Sequence, residues 1–163
     1  MSNVRFIADL HLGHKKICDF EGPNRGATRN VEEHDDWIVS QWNSVVRKQD
    51  ITWVLGDVAF SREGLEKVRR LNGTKHLILG NHDTFALSDY LKVFNKVHGF
   101  FKYKGFWLSH APVHTISLRG LKNIHGHTHS KSLEDDRYIC VSVEQCSGVP
   151  VGLDYLRDIS PNY

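Results

Sequence analysis

The chain has 163 residues, enough for one domain with a real buried core, and the expectation is a single domain over residues 1–163. Hydrophobic content of 40% and charged content of 25% are ordinary for a globular protein, and a formal net charge of +2 is too small to argue for nucleic acid or a membrane surface by bulk electrostatics. No apolar run approaches the roughly 20 residues that span a bilayer, no signal-peptide pattern precedes Val4, and Cys18, Cys140 and Cys146 form no Cys-x-x-Cys pair, so a cytoplasmic protein with reduced thiols is expected.

A first strand is expected at about Val4 to Ala8, running into Asp9-Leu10-His11-Leu12-Gly13-His14. The polar segment that follows, to Asn30, contains Gly22-Pro23, Arg25, Gly26 and Arg29 and lacks periodicity. It reads as a long loop with one helical turn between Lys15 and Phe20. Loops of that length in a compact domain are usually functional or disordered. Asn30-Val31-Glu32-Glu33 has the form of a capping box and should start a helix. Its apolar stripe, Ile38, Trp42, Val45 and Val46, ends near Lys48.

The second strand, Ile51 to Leu55, runs into Gly56-Asp57. Ser61 caps a helix through about Leu71, with Leu65, Val68 and Leu71 facing inward and Asn72-Gly73 as its stop. The third strand, His76 to Leu79, delivers Gly80-Asn81-His82-Asp83, and a short helix is expected from Ala86 to Leu91. From Val93 the texture changes to alternating, aromatic-rich segments. Val97 to Tyr103 and Phe106 to Ser109 flank Lys104-Gly105 and suggest a hairpin. Leu121 to Ile124 and Tyr138 to Val143 read as further strands, and Leu153 to Ile159 as a terminal helix. Strand and helix alternate in the first half and strands dominate the second, which predicts an α/β sandwich with helices outside the sheets.

The compositional anomaly is 11 histidines, most of them in or beside the strand-end clusters. Histidine is the commonest side-chain metal ligand. The clusters are Asp9-x-His11, Gly56-Asp57, Gly80-Asn81-His82-Asp83, Ser109-His110-Ala111 and Gly126-His127-Thr128-His129. Each alone is weak; Asn-His-Asp, for instance, is ordinary turn chemistry. Their joint occurrence at the ends of apolar segments is a strong signal, because open α/β sheets place their sites at the carboxyl ends of strands.

This order and spacing resemble the calcineurin-like metallophosphoesterase superfamily, from Asp9 to His129 with all five motifs intact, and the chain looks like a small single-domain bacterial or phage member. Asp-Leu-His-Leu-Gly-His at the start and Val141-Ser142-Val143-Glu144 near the end resemble one subgroup of these. The resemblance implies a mixed-sheet α-β-β-α sandwich of the metallophosphoesterase type and two divalent metals. Asp9, His11, Asp57 and His129 would hold one; Asp57, Asn81, His110 and His127 would hold the other. Asp57 would bridge ions about 3.5–4 Å apart, whose shared water becomes hydroxide near neutral pH and attacks the phosphorus. Mixed His, Asp and Asn ligation favours manganese, iron, zinc or nickel over magnesium or calcium without choosing among the four; manganese is the first expectation, with iron, zinc or nickel as alternatives. His82 would stabilise the developing charge and protonate the leaving oxygen, with Asp83 accepting its other ring N–H.

His14, Arg25 and Arg29 are candidate substrate contacts, Arg because its fork matches phosphate. Lys15, Lys16 and Arg119 share that status with a solvated surface as the alternative, and His125 is a candidate partner of a ligand. His34, His76, His98 and His114 read as surface or satisfied core residues. The implied activity is hydrolysis of a phosphate ester, a diester or nucleotide ahead of a phosphoprotein. Alternatives are a nuclease acting on polynucleotide ends and a non-catalytic scaffold of the same fold. The scaffold is disfavoured by retention of every ligand, the nuclease by the absence of a basic stripe. No membrane partner is implied. A homo-oligomer through Phe100, Phe101, Tyr103, Phe106 and Trp107 stays open beside a core role for those rings.

Overall fold

The computed structural model describes residues 2–159. Its first half runs β1 (Val4–Ile7), α1 (Ile17–Glu21), α2 (Val31–Val45), β2 (Ile51–Leu55), α3 (Arg62–Lys67), β3 (Thr74–Ile78), α4 (Leu87–Tyr90) and β4 (Lys96–His98). The second half runs β5 (Phe101–Tyr103), β6 (Phe106–Leu108), β7 (Lys122–His125), β8 (Tyr138–Cys140), α5 (Val143–Cys146), β9 (Val151–Gly152) and α6 (Leu153–Asp158). One sheet has the order β4-β3-β2-β1-β9, with β1 to β4 parallel and β9 antiparallel to β1. The other has the order β5-β6-β7-β8, antiparallel between β5 and β6 and parallel thereafter. Two mixed sheets with flanking helices agree with the expected sandwich.

Two-residue alternation sets the layers. Ile7, Val54 and Leu77 pack with Ile38 and Trp42 of α2 and Leu65 of α3. Their neighbours Phe6, Ala8, Trp53, Leu55 and Ile78 pack with Phe106, Leu108 and Ile124 of the second sheet. Strands buried on both faces read as continuous apolar runs, which is how β1 to β3 appear in the sequence. No helix among the described residues is long and apolar enough to cross a membrane.

Several elements differ from expectation. The Asn30 side chain caps α2 by accepting from Glu33 N at 2.9 Å, but the Glu33 carboxylate takes Arg29 instead of closing the box. α2 ends at Val45, because Val46 is extended. Ser61 caps α3, which tightens after Lys67 into a 3-10 turn over Val68–Arg70 while Leu65, Val68 and Leu71 still face inward. The segment after Gly13 is more ordered than a loop, holding α1 and a 3-10 turn over Gly22–Asn24. The expected strand Val97 to Tyr103 is two strands in different sheets, β4 against β3 and β5 against β6. The turn at Lys104-Gly105 does join β5 to β6, with both residues at positive φ as a two-residue hairpin requires. β8 stops at Cys140 because the next residues switch partners. Val141 O accepts from Ala8 N at 2.8 Å and Ala8 O accepts from Val143 N at 3.0 Å, which stitches the second sheet to the end of β1. Phe101, Tyr103 and Phe106 pack into the inter-sheet core, whereas Phe100 is exposed and stacks on Trp107.

Candidate metal centre

The carboxyl ends of β1, β2, β3, β6 and β7 converge, and the five clusters come together there. Asp9, His11, Asp57, His127 and His129 all have φ between 51° and 70°. This left-handed region costs a non-glycine residue on the order of 1–3 kcal/mol, and such residues cluster at functional sites. Asp and His tolerate it better than most side chains. The intervening glycines are demanded by space. A Cβ on Gly80 would lie 2.5 Å from Asp57 N, and one on Gly126 would lie 2.6 Å from Asp9 Oδ2.

Each carboxylate has one oxygen committed and one turned inward. Asp9 Oδ2 accepts from Ser142 Oγ at 2.6 Å and from His127 N at 3.0 Å. Asp9 Oδ1 has no hydrogen-bond partner among the described residues; it lies 3.9 Å from His11 Nε2 and 4.0 Å from His129 Nε2. Asp57 Oδ1 accepts from His82 N at 3.0 Å, while Asp57 Oδ2 lies 3.6 Å from His11 Nε2 and 3.4 Å from His110 Nε2. Asn81 Oδ1 is 2.9 Å from His110 Nε2 and 3.1 Å from His127 Nδ1, and these two nitrogens are 3.2 Å apart. His110 Nδ1 is 2.8 Å from Leu55 O, which can only accept, so Nδ1 carries a proton and in the neutral ring the Nε2 lone pair faces inward.

Carboxylate, amide and imidazole atoms converging on one space are the arrangement a cation fills, displacing any proton the imidazoles carry. Ligands bonded at about 2.0–2.2 Å to one ion stand roughly 3–3.5 Å from each other, close to the spacing found. Groups of Asp, His and Glu with ligand atoms within 4.8 Å include Asp9-His11-His129, Asp9-Asp57-His110 and Glu21-His129-Glu144. Mixed nitrogen and oxygen donors suit divalent transition metals.

Electrostatics follow burial. Burial pushes the Asp9 carboxyl above its ordinary pKa and drives the His11 ring down to about 4. Asp57 is also desolvated, but the His11 and His110 imidazoles more than offset this and hold it well below the carboxylate range. In return His110 rises to about 8 against its own burial. Glu144 beside it raises His129. These values describe the protein without metal.

The structure separates the remaining expected site residues. His82 is exposed at the mouth of the centre, its ring 5.0 Å from Phe60 and 6.5 Å from His11. Asp83 does not hold that ring. Its carboxylate accepts from the backbone N–H groups of Asp57, Val58 and Gly80 at 2.8, 2.9 and 2.7 Å, so it ties the β3 turn to the end of β2. Arg25, expected at the substrate, is fully buried with its guanidinium bonded to Glu144, Asp9 O, Leu10 O and His34. Arg29 lies on the surface and pairs with Glu33. His14 is half-buried against Phe60 beside a cleft of about 220 Å³ that Phe20 and His82 also line. His125 is buried and pairs with Gly126 O instead of a candidate ligand. Ser142 and Glu144 were not expected at the centre. Their signal lay in Val141-Ser142-Val143-Glu144, set apart in the sequence without a role.

Comparison with known proteins bears on the family and the fold. The family described as Calcineurin-like phosphoesterase matches residues 2–150. The Gene 66 protein of Mycobacterium phage L5 is 43% identical over 88 residues, a match spanning 51% of the chain and 41% of the phage protein. An uncharacterized protein of Methanocaldococcus jannaschii is 34% identical, with 96% of the chain and 90% of that protein aligned. The Gene 66 protein of Mycobacterium phage D29 is 31% identical, with 99% and 92% aligned. A crystal structure of a protein of unknown function from Aquifex aeolicus has the same fold, with a TM-score of 0.73, 23% identity, and 98% of this chain and 100% of that one covered.

Proposed function

Because the chain belongs to the calcineurin-like phosphoesterase family, a family of metal-dependent phosphoester hydrolases, we propose that it hydrolyses phosphodiesters or nucleotide phosphoesters with two divalent ions, manganese ahead of iron, zinc or nickel. Asp9, His11, Asp57 and His129 would hold one ion, and Asp57, Asn81, His110 and His127 the other. The observation that carries this reading is the pair of buried atoms Asp9 Oδ1 and His11 Nε2, without hydrogen-bond partners among the described residues and aimed into the space that Asp57 Oδ2 and His129 Nε2 also face.

When bound, the ions would supply a water acidic enough to act near neutral pH and positive charge for the phosphate. The chain supplies the rest. With Asp57 Oδ1 occupied by His82 N, Oδ2 is the oxygen left to serve both halves. The same backbone bond anchors His82 at the rim, with its ring free to donate a proton to the departing ester oxygen. Phe60 packs against the His11 and His82 rings and excludes water from that side of the centre.

The test is hydrolysis of bis-p-nitrophenyl phosphate and p-nitrophenyl phosphate by metal-stripped protein, with manganese, nickel, zinc or magnesium restored. Metal-dependent turnover that favours the diester and vanishes in Asp57→Ala is expected. Preference for the monoester would overturn the diester assignment, and no turnover of either ester would overturn the catalytic reading.

A further inference from the structure

Glu144 and Arg25 are 119 residues apart in sequence and form a fully enclosed ion pair directly behind His129. Glu144 Oε1 accepts from Arg25 Nε at 2.7 Å, stands 2.7 Å from Arg25 Nη2 in the ion pair, and lies 3.0 Å from His129 Nδ1. A carboxylate only accepts, so in the neutral His129 ring Nδ1 carries the proton and Nε2 is left with its lone pair toward Asp9. Arginine has five N–H donors, and the rest of the Arg25 fork is equally committed. Nη2 donates to Asp9 O at 2.7 Å, and Nη1 donates to Leu10 O at 3.2 Å and to His34 Nε2 at 3.0 Å.

We infer that Glu144 and Arg25 are positioning residues for the metal centre: Glu144 sets the tautomer and orientation of His129, and Arg25 ties that ring to the strained backbone of Asp9. The inference rests on the metal-binding reading given under "Proposed function". It assigns a role to the Lys15 to Asn30 segment, which delivers Arg25 from behind the centre instead of presenting it to substrate. A purely structural tie explains the arrangement less well. Burying both charges carries a desolvation cost that an apolar pair of similar volume avoids, so such pairs are poor stability devices. It also would not require contacts to both Asp9 and His129, which hold left-handed backbone at φ 60° and 51°. Outer partners that orient a histidine ligand typically affect metal affinity by about 10–100-fold.

The experiment is calorimetric titration of the metal-stripped full chain with manganese, comparing wild type, Glu144→Gln and Arg25→Lys, with thermal unfolding of each metal-free protein as the structural control. One of two ions should bind about 10–100-fold more weakly in Glu144→Gln while the other keeps its affinity. Equal binding of both ions, or equal weakening of both, would overturn the inference while leaving the metal centre standing. Wild type that binds no metal would overturn both. Should Glu144→Gln fail to fold, nitrogen-15 NMR of wild-type His129 at alkaline pH decides: the Nδ1–H tautomer is expected, and the Nε2–H tautomer or an average of the two refutes the positioning role.

Discussion

Asp9, His11 and Asp57 are at most 6% exposed, whereas Asn81 and His127, which would complete the other half of the proposed centre, stand in solvent. In the deep half the protein holds its own donors in place. Ser142 fixes Asp9, Glu144 orients His129, and Arg25 passes the load to His34, Asp35 and Lys67 through bonds of 3.0, 3.0 and 2.7 Å. In the open half the His110 ring has backing from the fold through Leu55 O and the His127 backbone N–H is tied to Asp9, while the Asn81 and His127 side chains rest against the atoms they would share a cation with. Donors held rigidly cost little ordering when an ion binds, and donors held by each other must be ordered by the ion itself. The deep half should therefore be the tighter one.

On the proposed assignment Asp57 serves both halves, and its removal should have the largest effect. Asp57→Ala is expected to weaken both ions by more than about 100-fold, beyond the loss typical of an outer partner, and to abolish diester turnover. Titration with manganese reads this directly; an ion retained at wild-type affinity would show that Asp57 is not shared.

The next largest effect concerns Asp83. An asparagine there keeps one acceptor and turns an NH2 group toward backbone N–H groups of Asp57, Val58 or Gly80 that the carboxylate now accepts from. Asp83→Asn should cost about 2–3 kcal/mol of metal-free stability, the cost of leaving buried donors unpaired, measured by urea unfolding. A variant with unchanged stability but an altered pH–rate profile would restore Asp83 to the role of orienting His82.

Behind the deep half, Asp35 tests how far its support extends. It accepts from Gly13 N and Lys67 Nζ and pairs with His34. Burial works against its ionisation, but His34 and Lys67 more than offset this, so its pKa falls below 3.8. A depressed carboxyl stabilises the fold above its unfolded pKa and loses that contribution as pH falls through the folded value. Asp35→Asn should be less stable than wild type by about 1–2 kcal/mol at neutral pH, with the gap closing below pH 3.8. A gap constant with pH would mean that packing, not charge, accounts for it.

The two halves also differ in what the sequence revealed. Strand-end placement was legible because a buried parallel strand shows as an apolar run and its polar terminus shows as a break, as at Leu55-Gly56-Asp57 and Ile78-Leu79-Gly80. That pattern brought the seven expected ligands to one end of the sheets. What lay behind them was not legible. Arg25 reads locally as a loop cation, because its partner Glu144 is 119 residues away and nothing adjacent signals burial. Asp83 follows His82 directly, which suggested a contact between side chains, yet the turn aims its carboxylate back at β2. The Val97 to Tyr103 segment alternates in the same way on both sides of Gly99-Phe100, so periodicity could not show that the chain changes sheets there.

The smallest effect on stability is expected at His127, where the open half can be opened further without touching the core. His127 is exposed and held at φ 70°, a conformation glycine adopts without steric cost. His127→Gly relieves that strain, on the order of 1–2 kcal/mol, and offsets part of the gain through the greater freedom of glycine in the unfolded chain. The metal-free protein should unfold within about 1 kcal/mol of wild type, while the ion of the open half is lost and that of the deep half stays. The same substitution at His11, buried and packed on Phe60 at 4.7 Å between ring centroids, would sacrifice core contacts as well as a donor and should destabilise the metal-free chain. Metal-free melting curves of the two variants side by side measure the asymmetry. Equal destabilisation would mean that His127 carries structural load and that the open half is not held together by its own donors.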